Sequence, residues 1–332
     1  MVHHTRRSRA HAFLLAVAVA AAAGVALAQQ GPVAAMFRED LKREDALALS
    51  FVPVELPAAG ASMPLQVYLS AGDLERAFDG RAFRPDAAIV PTNTGLVITA
   101  ASPSTQGVLV ERVAKQPQVM ADLQAQIAAR QKQAPALGGD GGVLQVGIDS
   151  FLALLPRGGQ AADGKGAFPR LACLIATDFA TGGAVDRRDL FTQDRVRKGV
   201  AGCLAALDAA GAETVMMPLL GAASGKNQSN DVLYEGQRLL KECRHLNAVA
   251  GIALGIHDFA PRRRAMREIG IVQWDQEITE MFRGGRMAQA AYRLYAEQIK
   301  TAMNKGLAGE KTTASDVDGN CAATFGGSVG AP

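Results

Sequence analysis

Residues 213–226 read ETVMMPLLGAASGK. Thr214 to Met217 is a compact β-branched and apolar run, which predicts a short buried strand. Pro218 leads it into a small-residue loop through Gly221, Ala222, Ala223, Ser224 and Gly225. A helix is predicted behind the loop from about Asn230. An apolar strand, a glycine-bearing turn and a helix start can hold a phosphate, because turn N–H groups converge and the helix N-terminus carries a partial positive charge. Gly221 and Gly225 permit positive φ or a close backbone approach, and Ser224 adds a hydroxyl donor. The same pattern also serves as a plain strand–helix connection, so the remaining chain has to decide.

Working outward, strands are predicted over residues 64–70, 86–91, 143–155, 171–177, 248–256 and 270–274, the fourth and fifth being almost wholly apolar. Helices are predicted over 108–130 with a break at Pro117, and over 189–210, 232–244, 275–283 and 287–303. Strands alternating with helices point to an α/β class, a three-layer α/β/α sandwich. Asn93 follows the strand at 86–91, at the carboxyl end where open α/β sheets place ligands. A turn asparagine bonding its own backbone fits the same position.

The ends of the chain read differently from its middle. Three arginines among residues 1–9, an apolar run over 12–24 and the small-x-small triplet Ala26-Leu27-Ala28 describe a signal peptide of residues 1–28. Cleavage leaves Gln29 first, no stable membrane span and a mature chain close to neutral; an uncleaved anchor helix over residues 10–28 is the alternative. The formal charge of +3 is therefore a property of the signal and gives no case for nucleic acid. Residues 29–62 read as an extension and linker, 63–303 as the folded domain, and 304–332 as a Gly-, Ala- and Thr-rich disordered tail. The expected location is periplasmic or secreted. Of the four cysteines, Cys173 and Cys203 read as buried thiols and Cys243 with Cys321 as a possible disulfide. None has metal-ligand spacing, and nothing calls for a cofactor.

Three segments together resemble the macro domain, a family that binds ADP-ribose. VYLSAGDL at 67–74 is similar to that fold's strand ending in Gly-Asp, and DAAIVPTNTGL at 86–96 to its asparagine-bearing segment. Residues 188–240, with MMPLLGAASG between two predicted helices, are similar to its second phosphate loop. The resemblance spans about 64–303 and implies a mixed central sheet. It further implies that Asp73 accepts from the adenine amino group and Asn93 faces the distal ribose. Gly221, Ala222, Ala223, Ser224 and Gly225 would wrap the diphosphate, and the helix after Gly107 would begin at the other phosphate loop. Phe259 would stack near the adenine or ribose, although a core aromatic at a strand end explains it as well.

The departures bear on catalysis. Pro91 stands in the region of the family's first asparagine, and the glycine-rich stretch that usually follows is VITAASPSTQ, with Gly107 at its end. No acid occurs between Leu96 and Val110, so a base to activate water is missing from the expected place. The expectation is a binder of ADP-ribose or a related nucleotide diphosphate, with an ADP-ribosyl hydrolase or a structural domain with a degenerate pocket as alternatives. Other candidates are His257-Asp258, a base pair of residues or a structural strand end, and Arg262-Arg263-Arg264, a surface turn or an anion contact. A P-loop-like spacing at 159–166 lacks the hydroxyl after Lys165 and the following helix, and is set aside.

Overall fold

The structure is a computed structural model that describes residues 54–56, 64–72, 85–98, 105–133, 150–155, 168–178, 193–221, 232–234, 237–239, 241–274, 285–313 and 316. Its centre is a seven-stranded mixed sheet of order β1-β2-β9-β6-β3-β5-β4. The strands are β1 (Val54–Leu56), β2 (Leu65–Gly72), β3 (Ala87–Asn93), β4 (Ser150–Leu154), β5 (Leu171–Asp178), β6 (Thr214–Pro218) and β9 (Glu268–Trp274). The five inner strands run parallel, and β1 and β4 add antiparallel edges. Ala87, Ala88, Ile89 and Val90 are all fully buried, as expected of a parallel strand covered on both faces.

Alternation along β3 sorts the two cores. Ala88 and Val90 pack with Leu109 and Val113 of α1 (Thr105–Ala114) and Leu123 and Ile127 of α2 (Pro117–Gln133). Pro117 sits at the first position of α2, where its missing N–H has no intrahelical partner to lose. Ala87 and Ile89 pack on the other face, beneath α3 (Gln193–Ala209), α4 (Lys241–Phe259) and α5 (Gly285–Leu307). The result is the expected α/β/α sandwich.

Several expectations are corrected. Residues 248–256 are not a strand; they lie inside α4, where every residue from His245 to Ile256 is buried. Residues 232–234 and 237–239 are not helical, but form a two-stranded ladder of β7 (Val232–Tyr234) and β8 (Gln237–Leu239). Cys173 and Cys203 are not thiols; they form a disulfide joining β5 to α3, with Cα atoms 5.7 Å apart. Cys243 is disulfide-bonded as well, while Cys321 lies outside the described residues. Finally, α5 continues to Leu307, and the chain beyond it packs: Thr312 is buried and its carbonyl accepts from Gln193 Nε2 at 2.6 Å. At the other end, Val54–Leu56 of the expected linker pairs with β2.

Candidate functional site

The two halves of the sheet meet at β3 and β6. From β3 the chain leaves for α1 and α2 on one face, and from β6 it leaves for α4 on the other. Adjacent parallel strands whose connections part in this way leave a crevice at their carboxyl ends. The ladder between them reinforces the split. It joins only Ala87 to Val215 and Ala88 to Met216, whereas β3 stays paired to β5 as far as Asn93 and β6 to β9 as far as Pro218. Pro91 has no N–H to offer a neighbour, and the β3–β6 ladder does not pass it.

The loop leaving β3 is tightly held. Leu96 N–H closes a turn on the Asn93 carbonyl at 3.1 Å. The Asn93 carboxamide bonds its own turn: Nδ2 donates to the Val97 carbonyl at 2.7 Å, and Oδ1 accepts from Val97 N–H at 2.9 Å. Gln106, in the first turn of α1, donates to the same Val97 carbonyl at 2.9 Å. Gln131, near the end of α2, donates to the Gly95 carbonyl at 2.7 Å. Leu96 adopts φ 52°, in the left-handed region, with its side chain buried, and Val97 stands 58% exposed beside it. Thr92 is buried, and its hydroxyl has no hydrogen-bond partner among the described residues.

Other predicted site residues divide by position. Gly221 follows β6 at the same edge with φ 82°, the positive value that a tight turn asks of glycine. Ala222, Ala223, Ser224 and Gly225 lie outside the described residues, as does Asp73, the residue after Gly72 in sequence. Gly107 is buried within the first turn of α1, not ahead of it. The helix behind Gly221 starts at Lys241, after the β7–β8 ladder. Phe259 is displaced outright. It ends α4, a helix that runs from the carboxyl edge back toward the start of β9, and it is 2% exposed in the core. It cannot stack on a ligand at the far edge.

His257 and Asp258 share that displacement. His257 Nδ1 lies 3.0 Å from the Leu307 carbonyl. Asp258 takes two hydrogen bonds from Arg197, of 2.5 and 2.8 Å, which hold its carboxyl below the usual range and raise the guanidinium. Arg263 is buried and donates to the Met266 carbonyl, and burial lowers its pKa. These contacts tie α4 to α3 and α5 and brace the turn before β9.

The structure also shows polar groups that sequence reasoning passed over. Beneath the end of β9, His245 Nδ1 sits 2.9 Å from Tyr295 Oη and 2.8 Å from Gln273 Nε2, which also reaches Tyr295. All three side chains are buried, tying β9 to α4 and α5. At the opposite sheet edge, Asp86 accepts from Glu213 N–H at 2.9 Å and faces Arg170 at 3.4 Å. A groove of about 640 Å³ opens there beside Asp122, Gln126, Leu154 and Arg170. Gln126 bonds both N–H and carbonyl of Leu154 across it. Among the described residues, no group of three or more His, Cys, Asp or Glu could hold a metal ion, and no helix is long and apolar enough to cross a membrane.

No protein-family model matches this chain, and no curated protein matches it. Among solved structures, it is similar to an Oceanobacillus iheyensis macrodomain variant with ADPR, at 10% identity over 76% of this chain and 100% of that chain, with a TM-score of 0.44. A second variant of that macrodomain gives 9% identity over 77% and 96%, with a TM-score of 0.43. A tomato leucine aminopeptidase variant gives 14% identity over 83% of this chain and 43% of that one, at 0.34. TM-scores this low carry no weight on ligand or activity.

Proposed function

We propose that the crevice between β3 and β6 binds ADP-ribose or a related nucleotide diphosphate. The observation that carries this reading is the parting of the two central strands at the topological switch, with Asn93 and Gly221 on its two sides and the end of β2, which Asp73 follows in sequence, at the same edge. In this reading Asp73 accepts from the adenine amino group. Backbone N–H groups of Gly221, Ala222, Ala223, Ser224 and Gly225 meet the diphosphate. Asn93 shapes the loop and retains a second N–H and a second lone pair for a ribose hydroxyl. With no acid between Leu96 and Val110, the reading is binding and not hydrolysis. Export accompanies it: the signal-like N-terminus and the disulfide-bonded Cys173, Cys203 and Cys243 suit an oxidising compartment.

Calorimetric titration of the chain from Gln29 onward with ADP-ribose tests the proposal. Micromolar binding that weakens about tenfold in Asp73→Ala, the order expected for one charge-assisted hydrogen bond, is the predicted result. Absence of binding at millimolar ligand would overturn the ligand assignment. Unchanged affinity in Asp73→Ala would overturn the adenine contact alone.

A further inference from the structure

We infer that Gln131, together with Gln106, is a positioning residue for the crevice: these side-chain amides fix the loop after β3 in its binding shape before any ligand arrives. The inference rests on the reading of the crevice as the ligand site. The loop contains Leu96 at φ 52°, a conformation that side-chain-bearing residues avoid. Something must therefore hold it. Leu96 itself is anchored, 1% exposed in the core shared with Val90 and Leu109. The carbonyls on either side of it are then fastened from two helices, Gly95 by Gln131 and Val97 by Gln106. Asn93 closes the same loop from within. A loop ordered in advance loses less conformational freedom on binding, and that saving appears directly as affinity.

Gln131 is the informative one to change, because it is exposed near the end of α2 and its carboxamide reaches outward to Gly95. Alanine is the best helix former at such a position, so Gln131→Ala leaves the fold intact. Gln131→Glu removes the donor and sets a charge against a carbonyl, whereas Gln131→Arg keeps a donor within reach. Amide hydrogen exchange at Leu96 and Val97 and ADP-ribose titration are measured on all four chains. The expected result is exchange about tenfold faster and affinity about three- to tenfold weaker in the Ala and Glu variants, with recovery in Arg. The thermal midpoint should stay near that of the unsubstituted chain in all of them. Unchanged exchange in Gln131→Ala would overturn the inference, as would faster exchange with unchanged affinity. If the unsubstituted chain binds no ADP-ribose, the ligand reading fails by itself, and the exchange result alone decides whether Gln131 holds the loop.

Discussion

Asp208 sits in the last turn of α3, where a carboxylate faces the negative end of the helix dipole. An unfavourable position of this kind implies compensation elsewhere, and the structure supplies it. The carboxylate is 6% exposed and accepts from the N–H groups of Arg264, Ala265 and Met266, each at 2.8 Å. Those three donors belong to the turn that feeds β9, so one side chain joins the end of α3 to the start of a central strand. Asp208→Ala leaves three N–H groups without their acceptor and should destabilise the protein by about 3 kcal/mol, with Asp208→Asn falling between it and the unsubstituted chain. Urea unfolding at neutral pH measures this, and a loss under about 1 kcal/mol in the alanine variant would show that water replaces the carboxylate. Nothing local in the sequence marks Asp208, because its partners lie 56 to 58 positions away. Asn93 was more legible. Its place after an apolar strand predicted a turn, and both readings offered for it turned on the same carboxamide, which the structure finds bonded to Val97.

At the scale of elements, α4 depends on its neighbours coming close. A Cβ built on Gly255 would stand 2.7 Å from the Arg197 carbonyl oxygen and 2.9 Å from Val200 Cβ, and one on Gly251 would stand 2.7 Å from Val196 Cβ. Gly306 of α5 approaches Ala253 in the same way from the other side. The backbone atom at Gly255 cannot turn aside as a side chain would, so Gly255→Ala must push α3 and α4 apart. We expect a loss of about 2 kcal/mol or more. Gly202→Ala is the matching control: it lies on α3 with nothing among the described residues within 4 Å of the added carbon, and should stabilise by up to about 1 kcal/mol. Thermal and urea unfolding of the pair would contradict this packing if both substitutions moved stability the same way. The helix was misread as a strand for a physical reason. Residues 245–256 are buried all round and so show no polar face, and a continuous apolar run does not distinguish a buried strand from a buried helix. The usable signal was Gly251 and Gly255, four apart and therefore on one helical face. By contrast β3, β5 and β6 announced themselves as short apolar runs bounded by turns, and the Pro117 break separated α1 from α2 as read.

For the whole molecule, alternation of strands and helices disclosed the layers, but not the order of strands, since β2 pairs with β9 across some two hundred residues. Strand ends were legible, as at Asn93 and before Gly221, whereas Phe259, read at a strand end, closes a helix. The chain's C-terminal part shows the same limit. A Gly- and Thr-rich composition reads as a tail, yet Lys311 pairs with Asp194 at 2.9 Å, Thr312 meets Gln193, and Asp316 bonds Lys305 and Thr313. Together with the Arg197–Asp258 pair, these contacts bind α3, α4, α5 and the segment after it into one layer, and they give that layer a defined response to acid. Asp258 is held down chiefly by its hydrogen bonds from Arg197, and Asp316 chiefly by Lys305. A carboxylate whose folded pKa is lowered binds fewer protons in the folded than in the unfolded chain. Its stabilisation is therefore complete above the unfolded value of about 3.9 and disappears as pH falls through the lower folded value. Stability should thus be flat with respect to these two groups from neutral pH to about 5 and decline steeply below about 4. Asp258→Asn should be less stable than the unsubstituted chain by about 1 kcal/mol at pH 7, as befits a partly exposed pair. In strong acid the two chains should converge, because protonation has then done to Asp258 what the substitution did. Urea midpoints taken from pH 7 down to about 2 decide the matter: a difference that persists undiminished in acid would mean that Asp258 stabilises the helical layer by shape and not by charge.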